Sequence, residues 1–484
     1  MGPRRNALAA STLERRNGTH MSIALDYTNC LSEAIGATHG LTKSEIDTLV
    51  AKFPKHHENI DEVRSSGESA FFDLPYQDTT ELKALLKKHH GKWENLVVLG
   101  LGGSVLAPAT IFNALAHRQH NLLDAKARKG APRVFFLGNP DPRSLLELFE
   151  ILDPKKTLVQ VVSRSGVTAE TMALFLWLKD HLTKKSGKTA LSTQVVITTE
   201  REKSPFNEIA KTEKIDILSI PSNLTGRYGL LGNHALFTAG MCNFSVENLL
   251  KGGADMDKRC RHGDAPKNPA YMHSLIHYLL TRKRRKTMHV TFAFSDRLNA
   301  IGKWYDHHCS VSLGKMLNRK GKAVHVGPSP VSAVGTFDLH GQQQLFAEGP
   351  FDKVTTFITA KDHGAQVTVP GAYPKIEAAA YLKDVDMSSI LTHGYWAAEQ
   401  HLTAAGRPNM TIHCDQVDEA HVGGVIYLLQ LSTAMSAELY GINPFDQPAV
   451  DHNKQALYAQ IGRAGFEDLA KRIKDYKGKP RKVC

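Results

Sequence analysis

Short apolar runs alternate with longer stretches of helical spacing along most of this chain. In the first half the runs fall at 96–99, 134–137, 158–162, 195–198 and 217–220. Each is apolar or β-branched and stops at Gly, Ser, Thr or Pro, as a buried strand does where it enters a loop. After the third run, residues 168–182 place Met172, Phe175, Leu176 and Leu178 close to helical spacing. The second half repeats the theme, with strands predicted at 288–294, 323–326, 354–359 and 410–414. The long apolar pattern over 422–439 predicts a buried helix that stops near Gly441, with Pro444 beyond it. Strands alternating with helices predict an α/β fold: two doubly wound, mostly parallel sheets with a helical C-terminal segment. Residues 251–267 are polar and contain Gly252, Gly253 and Gly263, so the domain boundary is placed there. The resulting division is an N-terminal extension and helical arm (1–50), a first α/β domain (51–250), a second (251–445) and a C-terminal motif with a basic tail (446–484).

The length of 484 residues suits two or three domains and a large core. A net charge of +12 favours an anionic partner. The basic residues are scattered, aromatics are 7%, and no zinc-finger or RNA-binding signature is present, which argues against nucleic acid. A phosphate-bearing small molecule fits the same charge. The one dense basic run, 282–286, reads as a solvated loop. The cysteines at 30, 242, 260, 309, 414 and 484 form no CxxC pair, so neither a disulfide framework nor a zinc site is indicated. A reducing, cytoplasmic setting follows. No uninterrupted apolar run reaches the ~18–20 residues of a membrane span. Arg4, Arg5, Arg15 and Arg16 lack the apolar core of a secretory signal, so a disordered extension is expected there, with Met21 as an alternative start.

In open α/β sheets, ligands bind beyond the carboxyl ends of the strands. Five segments are candidates. The first, Gly100-Leu101-Gly102-Gly103-Ser104, follows a strand and can expose backbone N–H groups to an anion, or simply turn tightly. It does not match the GxGxxG dinucleotide pattern. The second is Ser163-Arg164-Ser165-Gly166-Val167-Thr168, which puts three hydroxyls and a guanidinium before a helix N-terminus. That set suits a phosphate monoester, although its hydroxyls could equally cap the helix. The third, Thr225-Gly226-Arg227-Tyr228-Gly229, offers either an anion clamp or a surface arginine. The fourth carries His340, and the fifth carries Gln447 and Lys454.

Taken in this order, the five segments resemble glucose-6-phosphate isomerases over roughly residues 60 to 465. GLGGS, SRSGVTAET, TGRYG, DLHGQQQLFAEG and INPFDQPAVDHNK each look like a motif of that family. The resemblance implies two sugar-isomerase subdomains. It implies an aldose–ketose isomerase that interconverts glucose 6-phosphate and fructose 6-phosphate, in glycolysis and gluconeogenesis, by ring opening and a cis-enediol. Ser163, Arg164, Ser165 and Thr168 would hold the phosphate, helped by Gly103 and Ser104. Arg227 would stabilise the enediolate, His340 and Lys454 would serve ring opening, and Gln447 would touch the sugar. It also implies a homodimer, with His340 entering the partner subunit's cavity, and no metal or other cofactor.

One departure bears on the chemistry. In the family a glutamate precedes S-x-G-K; here Val311 precedes Ser312-Leu313-Gly314-Lys315, and His307 stands where a glutamine is usual. Valine cannot accept a proton. Two readings follow: an isomerase in which His307, four residues back on the same helical face, takes over proton transfer, or an inactive phosphosugar-binding relative acting as a sensor or mixed-dimer partner. Against a catalytic His307 stands the plainer reading that His307 and His308 are ordinary polar helix residues facing solvent. Milder departures are Arg164 for Lys, Val167 for Thr, Gly229 for Ser, Asp451 for Glu and Asn453 for Gly.

Overall fold

The structure is a computed structural model that describes residues 23–479 and residue 482. The N-terminal arginines, Met21 and Cys484 lie outside the described residues.

The first half builds a five-stranded parallel sheet from Asn95–Gly100, Arg133–Leu137, Thr157–Val162, Val195–Thr199 and Asp216–Ser219. Side by side they stand second, first, third, fourth, fifth. The order therefore reverses between the first and third strands, and their carboxyl ends open a crevice there. Both of these strands are buried at every position. A sheet covered on two faces needs continuous apolar runs rather than alternation, which is what the sequence carries.

The second sheet winds the same way. Met288–Ala293, Ser329–Val334, Lys353–Ala360 and Asn409–Cys414 stand second, first, third, fourth, and all pair in parallel. Ile23–Asp26 adds antiparallel to Asn409–Cys414, so part of the presumed N-terminal extension is a strand of this sheet. The run at 323–326 is a strand as expected, but not one of this sheet. It pairs antiparallel with Lys315–Leu317 in a separate two-stranded ribbon. The true edge strand, Ser329–Val334, contains Pro330, and proline is tolerated at an edge because one side of the strand needs no donor.

The helix Glu419–Tyr440 runs through the core and is buried from His421 to Glu438. The Asp418 side chain caps its start by accepting from the His421 N–H, and Gly441 ends it at φ +67°. It is long and apolar enough to cross a membrane, but protein covers it. Against it packs the helix Val246–Cys260, through which the expected domain boundary passes. The glycines there are not linker residues. A Cβ on Gly252 would lie 1.9 Å from the Ala420 carbonyl oxygen, and one on Gly423 would lie 2.1 Å from that of Leu249. The two helices touch backbone to backbone.

The basic run at 282–286 is also not a solvated loop. Arg284 closes the helix Pro269–Arg284 and donates to both Glu45 carboxylate oxygens at 3.0 and 2.7 Å. Lys286 is buried and donates to the Phe351 carbonyl at 2.6 Å.

Candidate active site

The crevice of the first sheet opens into a cavity of about 580 Å³, within the usual size of a small-molecule site. Gly103, Ser104, Ser163, Arg164, Ser165, Thr168, Arg227, Gln447 and Lys454 all line it. His340 does not. It sits exposed in the short helix Phe337–His340, beside Phe337, which is 80% exposed.

Three backbone turns form one wall. Gly102 takes φ +58° just before the helix Gly103–Leu115. A Cβ on Gly103 would fall 2.3 Å from the Arg227 nitrogen, so this glycine lets the 100–104 turn press against the 225–229 segment. In the second turn the Ser163 hydroxyl accepts from the Gly166 N–H at 3.2 Å. The Arg164 guanidinium donates to the Ser222 carbonyl at 2.8 Å. Thr168 occupies the cap position of the helix Ala169–Ser186 but makes no side-chain cap bond, so its hydroxyl is left to the cavity. The N-termini of two helices thus converge on one space, the usual setting for an anion.

Arg227 is 2% exposed and is fixed from every side. Its Nε donates to Ser312 Oγ at 2.9 Å and its Nη1 to Gln447 Oε1 at 3.1 Å. Its Nη2 donates to the carbonyls of Pro444 at 2.5 Å and Asp446 at 3.0 Å. Of the guanidinium's N–H groups, one on Nη1 has no described partner. Burial lowers the Arg227 pKa, but an arginine stays charged at neutral pH. The guanidinium also clamps the 444–447 turn, from which the helix Pro448–Gln460 carries Lys454. Lys454 Nζ lies 3.3 Å from Asp451 Oδ1, and the Tyr458 hydroxyl donates to the Val167 carbonyl at 2.6 Å, closing this helix onto the second turn.

The opposite wall is the helix Asn299–Leu313, from the second half. His307 and Val311 both line the cavity, so they share the face expected of them. The solvent-facing alternative fails for both histidines. His308 is fully buried, and His307 is only partly exposed. His308 Nδ1 and Trp304 Nε1 donate to the Arg227 carbonyl at 3.2 and 3.1 Å. Burial, and then the Arg227 cation, pull the His307 imidazole below its ordinary pKa. Lys315 is buried and donates to the carbonyls of Val311 at 2.7 Å and Asp446 at 3.0 Å.

Trp304 and Tyr458 were not singled out in the sequence, and nothing there marked His308 or Ser312 as supports of Arg227. Ser312 and Lys315 lie inside the S-x-G-K signature, which was the available signal. Trp304 carried none, because a lone aromatic reads as core, and His308 read only as a polar helix residue.

Comparison with known proteins agrees with this geometry. The family model described as phosphoglucose isomerase matches residues 85–468. A glucose-6-phosphate isomerase of Carboxydothermus hydrogenoformans is 33% identical over 464 residues, covering 95% of this chain and 99% of its own. One from Rubrobacter xylanophilus is 35% identical, covering 77% of this chain and 83% of its own. Among solved structures, a hypothetical protein of Thermus thermophilus superposes with a TM-score of 0.80 at 26% identity, covering 91% of this chain and all of its own. A glucose-6-phosphate isomerase of Chlamydia trachomatis shares the fold, with a TM-score of 0.69 at 20% identity and 82% and 75% coverage. A model match over most of the chain, and relatives one-third identical along nearly all of it, place this protein in the phosphoglucose isomerase family.

Proposed function

We propose that the cavity binds a hexose phosphate and that the protein interconverts glucose 6-phosphate and fructose 6-phosphate. One observation carries this reading: the hydroxyls and guanidinium of 163–168 and the buried Arg227 face a single cavity of about 580 Å³. Ser163, Arg164, Ser165 and Thr168 hold the phosphate dianion, with Gly103 and Ser104 at the second helix end. Arg227 sits where negative charge develops on the enediolate. It is preplaced by four hydrogen bonds, so no reorganisation is needed when that charge appears. Gln447 gives its carbonyl oxygen to Arg227 and directs its amide nitrogen to Asp451 Oδ1 at 3.5 Å, which leaves one amide N–H for the sugar. Lys454 opens the ring from the C-terminal helix. Full-length relatives named glucose-6-phosphate isomerase favour a working enzyme over the inactive alternative.

The same reading includes a homodimer. His340 is exposed outside its own chain's cavity, next to exposed Phe337, and Leu345 and Trp396 are also exposed on this part of the chain. A second copy docked on this face would receive His340 in its cavity. Cytoplasmic location also belongs to the proposal; the five described cysteines are free and buried, as a reducing compartment allows.

A coupled assay tests the activity. Glucose 6-phosphate should turn over and unphosphorylated glucose should not. Absence of both turnover and hexose-phosphate binding would end this reading. Mixing an Arg227→Ala chain with a His340→Ala chain tests the dimer, because one of the two sites in a mixed dimer is then intact and activity returns.

A further inference from the structure

We propose that His307 is the catalytic base of this protein, carrying the proton between C1 and C2 of the open-chain sugar. The inference rests on the isomerase reading above and deepens it.

Isomerisation requires a lone pair beside the reacting carbons. Val311, on the cavity face of the helix Asn299–Leu313, offers none. The other proton acceptors lining the cavity are engaged. Asp446 lies 3.2 Å from Lys315 Nζ and is half exposed. Asp451 lies 3.3 Å from Lys454 Nζ and is more exposed still. Tyr458 donates to Val167. His307 differs from all three, because no described group hydrogen-bonds its ring. It lies one helical turn before Val311, and its Cε1 is 3.9 Å from where a Cβ on Gly102 would be. The imidazole therefore stands beside the first glycine turn and lines the same cavity as Arg227, the cation assigned to the enediolate. Burial and the Arg227 cation keep it neutral, the form a base must have.

The step balances without any added reactant. A ring nitrogen takes the proton from C2, and the C–H electron pair becomes the C1=C2 bond. The C1 carbonyl oxygen becomes an enediolate oxygen facing Arg227. The O2 proton passes to O1, and the imidazolium returns its proton to C1. The aldose has become the ketose, and the base is restored.

The test uses the full chain. Wild type, His307→Ala, His307→Gln and His307→Ala/Val311→Glu are compared for kcat, KM, fructose 6-phosphate binding by calorimetry, and deuterium uptake at C2 in heavy water. Glutamine keeps the volume and polarity of the site but cannot take a proton, so it covers the case in which the alanine variant folds poorly. Both single variants should bind fructose 6-phosphate like wild type, lose ~10²–10⁴-fold in kcat, and lose C2 exchange in parallel. The double variant should recover activity with the acid limb of its pH profile moved down to the carboxylate range. In wild type that limb should lie below pH 6.5, the free value of histidine. Burial and Arg227 set that limb, and the other titratable groups that share the cavity with the ring are Arg164, Asp446, Asp451, Lys454 and Tyr458, with His308 beside it on the helix. Unchanged kcat and exchange in His307→Gln would overturn the assignment while leaving the isomerase intact. A wild type that binds fructose 6-phosphate without converting it would overturn it too. A wild type that neither binds nor turns over would instead remove the isomerase reading beneath it.

Discussion

The two halves of this protein wind their sheets in the same order, yet only one of them lines the resulting crevice with groups suited to an anion. In the first half, the strands Asn95–Gly100 and Thr157–Val162 lead into turns rich in hydroxyls and backbone N–H groups, with Arg164 and Arg227 close by. In the second half, one strand beyond the switch point, the carboxyl ends of Lys353–Ala360 and Asn409–Cys414 open into a cavity lined by Asp362, Asp386 and Asp415, with Lys361 and His363 beside them. Three carboxylates against one lysine disfavour a phosphate there. The second half contributes instead the side of a helix, with His307 and Val311, and the 444–458 segment beneath it. Topology supplies a crevice twice; the residues at the strand ends decide which one works.

The sharpest test of this contrast is Arg227. Arg227→Ala should lower kcat/KM by ~10²–10³-fold, the usual loss when one preorganised charge stabiliser is removed, as a coupled assay can measure. Arg227→Lys should recover little. A single ammonium cannot reproduce a fork that bonds Ser312, Gln447, Pro444 and Asp446 together. Next come the turns. Thr168→Val should raise KM for fructose 6-phosphate about tenfold, since one hydrogen bond to a charged group contributes ~1.5–3 kcal/mol. Asp415→Asn, at the matching edge of the second sheet, should leave both kinetic constants unchanged. Equal effects at Thr168 and Asp415 would mean that both crevices take part.

The sequence revealed the first half better than the second, and the reason is burial. Strands covered on both faces print unbroken apolar runs, and the three central strands of the first sheet are visible that way, while its edge strands Arg133–Leu137 and Asp216–Ser219 are only partly buried but keep a short apolar run. The second sheet's edges are not. Ser329–Val334 begins with Ser and Pro, and Ile23–Asp26 is four residues long with only Ile23 buried. The site residues were legible because turns after strands must carry the ligand chemistry locally. The support of Arg227 was not. His308 and Trp304 reach its carbonyl from more than 70 residues away, and only the folded chain brings them there. Gly252 and Gly253 misled because a polar glycine pair in sequence looks the same in a linker and at a close helix crossing.

That crossing yields a smaller expected effect. Gly423→Ala places a methyl where the Leu249 carbonyl stands, so the helices must separate. The expected cost is ~1–3 kcal/mol, read as a lower denaturation midpoint with kcat unchanged, because the cavity lies elsewhere. If kcat falls with stability, the helix pair between the halves also sets the geometry of the site.

The smallest effect near neutral pH separates the halves again. His273, His277 and His289 of the second half stack with ring centroids 4.5 and 4.1 Å apart, and all are buried. Burial holds His273 and His289 down at about 3 and pushes His277 well below its ordinary value. Their polar contacts are hydroxyls: Ser432 at 2.7 Å, Thr356 at 3.0 Å and Thr281 at 3.1 Å. No carboxylate is among them to stabilise a charged ring. Each folded-state pKa lies below the free value of 6.5, so on acidification the unfolded chain takes up protons before the folded one. Stability is therefore complete above pH 6.5 and declines as the pH falls from there toward the folded values. Between about pH 7 and 6 the change is slight; by about pH 5 hydrogen exchange should show the amides of Met288–Ala293 losing protection ahead of those of Asn95–Gly100. Simultaneous loss in both strands would show that the shared core helix Glu419–Tyr440 makes the two halves unfold as one, whatever their separate chemistry.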